Sequence, residues 1–356
     1  MNFITEYGLF LAKTLTLLTG VAIVLILIIS ASFKRRTSTQ EHINVKKIND
    51  HYQQMTDTLE KAMLSKSDLK KNRKIRQKNE KKKSKHTHDR ENRYRRRIFV
   101  IDFEGDLMGS AVIQLRKEIT AILTVATHAD EVLLRLESSG GVVHAYGLAA
   151  SQLARLRNKE IPLTVSVDKV AASGGYLMAC VADKILAAPF AIIGSIGVIT
   201  QIPNFNRLLK KHDIDFEQAT GGEFKRTVTM FGETTEKGRQ KLQEEVEGIH
   251  GLFKDFVKKQ RPIVDIDKIA TGEHWLGTHA HELKLIDELK TSDDYLMSLS
   301  ESTDIYEVDY QAKKKLMDRI TSAFSALTRR GDLMEQYTAA EQHISPMLKS
   351  QKDLRM

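Results

Sequence analysis

The chain has 356 residues, 41% of them hydrophobic, which suffices for one large or two smaller domains with real cores and excludes disorder throughout. Its net charge of +9 lies mostly in the stretch between Lys34 and Arg97, and the single cysteine, Cys180, excludes an intramolecular disulfide. Within its Ala-rich surroundings Cys180 reads as a small buried apolar residue.

The first element in chain order is TLTLLTGVAIVLILIISASF, residues 14–33, uncharged and about as long as a hydrocarbon core is thick. It reads as an uncleaved N-terminal transmembrane anchor. The competing reading is a cleaved signal peptide, for which Ser30-Ala31-Ser32 supplies small residues, but the apolar core is long and little basic charge precedes it. Lys34, Arg35 and Arg36 on its C-terminal flank argue that the following segment starts in the cytoplasm. The basic stretch after it has few apolar residues and is expected to be a solvated linker or an extended charged helix. Tyr94 is nearly alone among the basic residues around it, so nucleic acid is not an expected partner, whereas anionic lipid headgroups are.

From Arg97 short apolar runs alternate with helical patterns. RIFVIDFEG (97–105), EVLLRLESSGG (131–141), IPLTVSVDKV (161–170) and DKILAAPFAIIGSIGV (183–198) read as buried strands ended by Gly, Asp or Pro. Val112, Leu115, Ile119 and Ile122 recur at helical spacing after the first, and Leu148, Leu153 and Leu156 after the second. The order predicts an α/β fold with crossover connections. The apolar run 185–202 is interrupted by Pro189, Gly194 and Gly197, which favours a buried strand-turn-strand over a second membrane span. Residues 234–259 predict a long amphipathic helix with Leu242, Val246, Ile249, Phe253 and Phe256 on one face, Thr234 or Thr235 as N-cap, and packing on the sheet. After Leu289 the signals weaken, and 313–330 reads as an amphipathic helix for a membrane surface or a protein partner.

The chemistry centres on KVAASGGYLMACVADKI, residues 169–185, where Gly174 and Gly175 follow Ser173. Glycine is costly in a helix, so a pair at a helix start implies a close backbone approach. A serine nucleophile needs a base for its proton and donors for the developing oxyanion. Backbone N–H groups at the 173–175 corner and at a second corner, SSGGVV (138–143), are candidate donors.

These stretches, with IIGSIGV, GGEFKRTVTMFGETTEKGR (221–239) and ATGEHWLGTHAHELKLIDEL (270–289), resemble the serine peptidases related to signal peptide peptidase A. The resemblance covers residues 97–290 and rests on several motifs in the right order. It implies a ClpP/crotonase-like α/β fold and a Ser–Lys dyad, with Ser173 as nucleophile, Lys225 as general base, and the N–H groups of Gly174 and Gly141 as oxyanion hole. It also implies peptide substrates, including remnant signal peptides, a bacterial inner-membrane location, homo-oligomeric assembly and no cofactor. A lysine base must be neutral, which calls for desolvation or nearby positive charge.

Three positions depart from the family pattern. Ser138-Ser139 stands where Ser-Pro is usual, Arg226-Thr227 replaces a serine that orients the amine, and Lys284 replaces a glycine. The expected division is an anchor at 1–36, a basic linker at 37–96, the peptidase domain at 97–290 and a C-terminal helical extension at 291–356. His274, His279 and His281 lack the carboxylate spacing of a zinc hydrolase, so no metal site is expected. Two other readings stay open: a crotonase-like acyl-CoA enzyme using the same backbone donors, and a catalytically silent membrane scaffold. The positive flank favours a cytoplasmic active site, while the family permits a periplasmic one.

Overall fold

The computed structural model describes residues 7–21, 42–72, 74–75, 78 and 95–311. The chain divides into two compact units, residues 43–310 and, separately, 1–42 with 311–356. In the second of these, residues 7–21 form a helix (α1). No helix among the described residues is long and apolar enough to cross a membrane. The rest of the run expected to span, beyond Val21, lies outside the described residues, as does the amphipathic stretch 313–330.

The larger unit is a mixed α/β fold built on one sheet of ten strands. In chain order these are β1 (His42–Lys47), β2 (Arg97–Gly105), β3 (Glu131–Ser138), β4 (Leu163–Val167), β5 (Val170–Ala172), β6 (Lys184–Ala187), β7 (Ile192–Gly194), β8 (His274–Leu276), β9 (Glu288–Leu289) and β10 (Asp304–Gln311). The main order is β1-β10-β2-β3-β4-β6-β9, and every pairing from β10 to β9 is parallel. Such strands are buried on both faces, which is why β2 and β3 read as continuous apolar runs. The run 185–202 is resolved into β6 and β7 and is not a helix.

The helices are α2 (Ile48–Met63), α3 starting at 66, α4 (Val112–Val125), α5 (Val143–Arg157), α6 (Gly174–Ala179), α7 (Asn206–Lys211), α8 (Glu236–Gln260), α9 (Ile266–Ile269), α10 (Gly277–Glu282) and α11 (Ser292–Leu299). On one face of the sheet α4, α5 and α6 enclose the main core, in which Leu115, Ile119, Leu153 and Leu156 are buried. Leu148, expected on that stripe, is exposed. On the other face Ile98, Val100 and Leu133 pack with Leu296 and Ile305, joined by Ile48 and Tyr295. The N-cap of α8 is Thr235, whose side chain accepts from the Gly238 N–H. The α8 helix packs chiefly on α6 and α9, and its Phe253 and Val257 join the main core.

Two expected boundaries change. Residues 42–63, read from their charge as part of a solvated linker, add β1 to the sheet edge and supply α2. The Asn49 side chain donates to the Ser300 and Thr303 carbonyls at 2.8 and 2.9 Å and accepts from the Ile305 N–H at 2.8 Å. Likewise β10, inside the stretch read as a helical extension, pairs with β2 over Arg97–Val100. A single partly buried amide side chain meets the backbone needs of a strand start, a contact no local pattern reveals.

Candidate active site

The parallel pairing of β3 with β5 brings the two glycine corners together. Ser138 at the end of β3 is in register with Ala171, and Ala172 with Gly194 of β7. The chain leaving β3 therefore passes beside the chain leaving β5, at the carboxyl ends of parallel strands, where open α/β sheets place their sites. Ser173 sits at the turn from β5 into α6 with φ 51° and ψ −118°, a left-handed backbone rare for a residue with a side chain. The turn is held by the Ser173 N–H donating to the Gly194 carbonyl at 2.8 Å and the Leu177 N–H donating to the Ser173 carbonyl at 2.9 Å.

Ser173, Gly174 and Gly141 all line one cavity of about 380 Å³. Its other walls are largely apolar: Val143, Gly147 and Ala150 from α5, and Ile249, Leu252, Phe253 and Phe256 from α8. The amphipathic face of α8 thus covers the serine. Among the described residues no Lys, His, Asp or Glu lines this cavity.

Close packing explains the glycines. A Cβ on Gly140, whose φ is +89°, would lie 2.7 Å from the Gly174 nitrogen and 2.8 Å from the Ser173 Cβ. One on Gly174 would lie 2.5 Å from the Tyr146 ring, and one on Gly175 2.5 Å from the Ser138 carbonyl oxygen. The Gly140 N–H donates to Ser138 Oγ at 3.0 Å and the Val142 N–H to the Leu107 carbonyl at 2.9 Å. Between them, the Gly141 N–H meets no acceptor among the described residues. Gly174 occupies the first helical position of α6, where no acceptor exists within a helix. Two unspent N–H groups and a serine hydroxyl on one apolar wall can attack a carbonyl and stabilise the resulting oxyanion.

Lys225 lies elsewhere. It is exposed, in an irregular segment between α7 and α8, and its backbone N–H donates to the Gly222 carbonyl at 3.2 Å. Among the described residues no hydrogen bond joins it to Ser173, and it is absent from the cavity wall. Arg226 is exposed and Thr227 is half-buried.

Two other departures are explained locally. Lys284, where the resemblance leads one to expect glycine, takes φ 63°, the backbone a glycine adopts without strain. In place of a rigid proline, the 138–141 corner is fixed by Ser138 through side-chain bonds to Gly140 and Tyr146. Sequence reasoning passed over Tyr146, whose one local signal is a tyrosine in an otherwise small-residue helix start. Cys180 is buried, and that burial pushes its thiol up. No group of residues suited to a metal ion occurs among the described residues.

Comparison with known proteins follows the same segments. The model of the peptidase family S49 N-terminal region matches residues 2–153, and that of peptidase family S49 matches residues 155–306. A protein of Haemophilus influenzae named probable protease SohB is 49% identical over 325 residues, covering 89% of this chain and 92% of the relative. One of the same name from Buchnera aphidicola subsp. Acyrthosiphon pisum is 49% identical over 335 residues, covering 91% and 94%. Protease 4 of Haemophilus influenzae is 32% identical over 160 residues, covering 44% of this chain and 26% of that protein. With its sequence matched along nearly its whole length, this chain belongs to peptidase family S49, as a SohB-type member.

Proposed function

We propose that the chain is a membrane-anchored serine endopeptidase that uses a Ser–Lys dyad on a ClpP/crotonase-like fold to hydrolyse small or membrane-derived peptides, such as remnant signal peptides. The observation that carries this reading is Ser173 on a left-handed strand-to-helix turn, inside an apolar cavity and between two glycine corners. Strained turns of this kind persist where the surrounding structure fixes them, and they present a nucleophile clear of its neighbours.

In the proposed reaction Ser173 Oγ attacks the scissile carbonyl carbon while its proton passes to the Lys225 amine. The carbonyl oxygen becomes an oxyanion and accepts from the Gly174 and Gly141 N–H groups. Collapse of the tetrahedral intermediate breaks the C–N bond, and the leaving amine takes the proton back from Lys225. Water then attacks the acyl ester by the same route, releasing the acid and restoring the serine. The apolar walls from α5 and α8 suit uncharged side chains beside the scissile bond.

Because Lys225 lies outside the cavity, we place it at the Ser173 of a second copy in a homo-oligomer. Phe224, Met230 and Phe231 are exposed on the same segment, which supports an assembly face there. The anchor is the 14–33 run, in a bacterial inner membrane.

The test is labelling of the full-length, detergent-solubilised protein with a fluorophosphonate, followed by mapping of the adduct. The expected result is a single adduct on Ser173, lost together with hydrolysis of a fluorogenic apolar peptide in Ser173→Ala. Undiminished hydrolysis by a folded Ser173→Ala protein overturns the reading. Turnover of acyl-CoA without any serine adduct would instead favour the crotonase-like alternative.

A further inference from the structure

Tyr146, on the first turn of α5, is completely buried and touches both candidate oxyanion donors. The space a Cβ on Gly174 would need is taken by its ring, Cγ at 2.5 Å and Cβ at 2.8 Å, and the space beside Gly141 is taken by its Cε2 at 2.8 Å. The ring packs against both corners, and beside Gly141 it shares that space with the Leu107 carbonyl.

The ring is held by a chain of hydrogen bonds in which every proton has one place. Tyr146 Oη donates to the Asp106 carbonyl at 2.8 Å, so the 2.7 Å contact between Tyr146 Oη and Ser138 Oγ has Ser138 as donor. Ser138 Oγ in turn accepts from the Gly140 N–H at 3.0 Å. This last bond fixes the 139–140 peptide, one before the peptide that carries the Gly141 N–H, and uses up the neighbouring N–H. Both side chains are buried, so neither hydroxyl has water as an alternative partner. Burial also raises the Tyr146 hydroxyl above its ordinary range, which keeps it a donor. Gly105 completes the fit: a Cβ there would collide with both hydroxyl oxygens.

We propose that Ser138 and Tyr146 are positioning residues of the peptidase: the chain from Asp106 through Tyr146 and Ser138 to Gly140 holds the Gly141 and Gly174 N–H groups at the spacing an oxyanion requires. The inference rests on the active-site reading above. A misplacement of about 1 Å in such a site costs up to 10²-fold in rate. Tyr146 also lines the cavity, and because loss of the hydroxyl bonds leaves its ring on that wall, the effect falls on kcat and leaves KM in place.

The experiment compares wild type, Tyr146→Phe, Ser138→Ala, the double variant and Ser173→Ala as full-length proteins, using a fluorogenic peptide and a peptide aldehyde inhibitor. Tyr146→Phe keeps the ring against both glycines and removes only the hydroxyl. We expect kcat to fall about 10- to 100-fold with KM within about twofold, and aldehyde affinity to fall in parallel, because the hemiacetal oxygen occupies the oxyanion position. The double variant is expected to match the worse single variant, since both substitutions break one chain. Wild-type kcat in Tyr146→Phe, a change confined to KM, or multiplicative single effects overturns the positioning role while leaving the nucleophile intact. Should Ser138→Ala not fold, the Tyr146→Phe result decides alone. Full hydrolysis by Ser173→Ala removes the active-site reading and this inference with it.

Discussion

The corner that carries Ser173 and the segment that carries Lys225 are built on opposite plans. Around Ser173 the backbone is fixed from several sides, by Gly194, by Leu177 and by the Ser138–Tyr146 pair, and side chains are excluded at Gly140, Gly141, Gly174 and Gly175 by close neighbours. Residues 204–234 hold themselves together mainly near their ends. The Asn204 side chain reaches the Thr229 and Gly232 carbonyls, and Phe231 meets the rings of Phe205 and Phe216 at 6.2 and 5.8 Å. Between those clamps a Cβ on Gly221 or Gly222 would meet nothing within 4 Å, and Lys225 and Phe224 are exposed. An oxyanion hole works by being rigid before substrate arrives, so it has to be complete within one fold. A base on an exposed segment has to be desolvated by something that packs on it.

The largest expected effect tests that division directly. Lys225→Ala should lower peptide hydrolysis on the order of 10³-fold, as Ser173→Ala does. Mixing the two inactive proteins under subunit exchange should restore activity toward about a quarter of wild type, the share of sites that combine both intact residues at random. Mixed oligomers that stay inactive would put base and nucleophile in one copy.

Next in size is a pair of identical substitutions placed in the two regions. Gly174→Val forces a side chain into the Tyr146 ring and should cost about 3 kcal/mol in urea unfolding, so any loss of turnover there mixes packing with oxyanion chemistry. Gly221→Val meets open space and should stay within about 0.5 kcal/mol. Equal costs would erase the contrast between the regions.

A smaller effect comes from Glu118, buried where α4 meets β10. Its Oε1 accepts from Gln114 and from the Tyr310 N–H, Asp309 lies close by, and Oε2 has no hydrogen-bond partner among the described residues. Burial raises its carboxyl from the usual 4.5 to about 7. The folded chain therefore keeps a proton that the unfolded chain releases above pH 4.5, and stability falls as pH rises from 4.5 through 7. Glu118→Gln should remove that slope and be more stable than wild type at pH 8 by about 2 kcal/mol. Parallel stability curves for the two proteins between pH 4.5 and 8 would contradict this.

The smallest effect lies at the junction of the two regions. Thr235→Ala removes the N-cap of α8, costs about 1 kcal/mol and should speed amide exchange in the first turn of that helix. Unchanged exchange there would show that α8 is held by its contacts on the cavity alone.

The sequence by itself determined the elements whose cause is local. The apolar run of β2 was legible over Arg97–Gly105 to the residue, the helical stripe of α4 appeared at Val112, Leu115, Ile119 and Ile122, and the Thr234-Thr235 pair announced the start of α8, with Thr235 as the cap. The Ser173 and Gly141 corners were legible as well, because glycine pairs after strands mark backbone that something approaches closely. Only the tertiary structure decided what approaches: the Tyr146 ring fills the space beside Gly174, and Ser138 takes the Gly140 N–H. It also decided that β1, charged enough to read as linker, and β10, in a stretch of weak signals read as an extension, belong to the sheet, where the Ile305 N–H at the start of β10 finds its acceptor on Asn49, 256 residues away in sequence. The sequence put Lys225 within a recognisable motif, and the fold left it exposed and apart from Ser173. Periodicity and turn chemistry act over a few neighbouring residues, whereas hydrogen-bond satisfaction and close packing join residues wherever the fold brings them together.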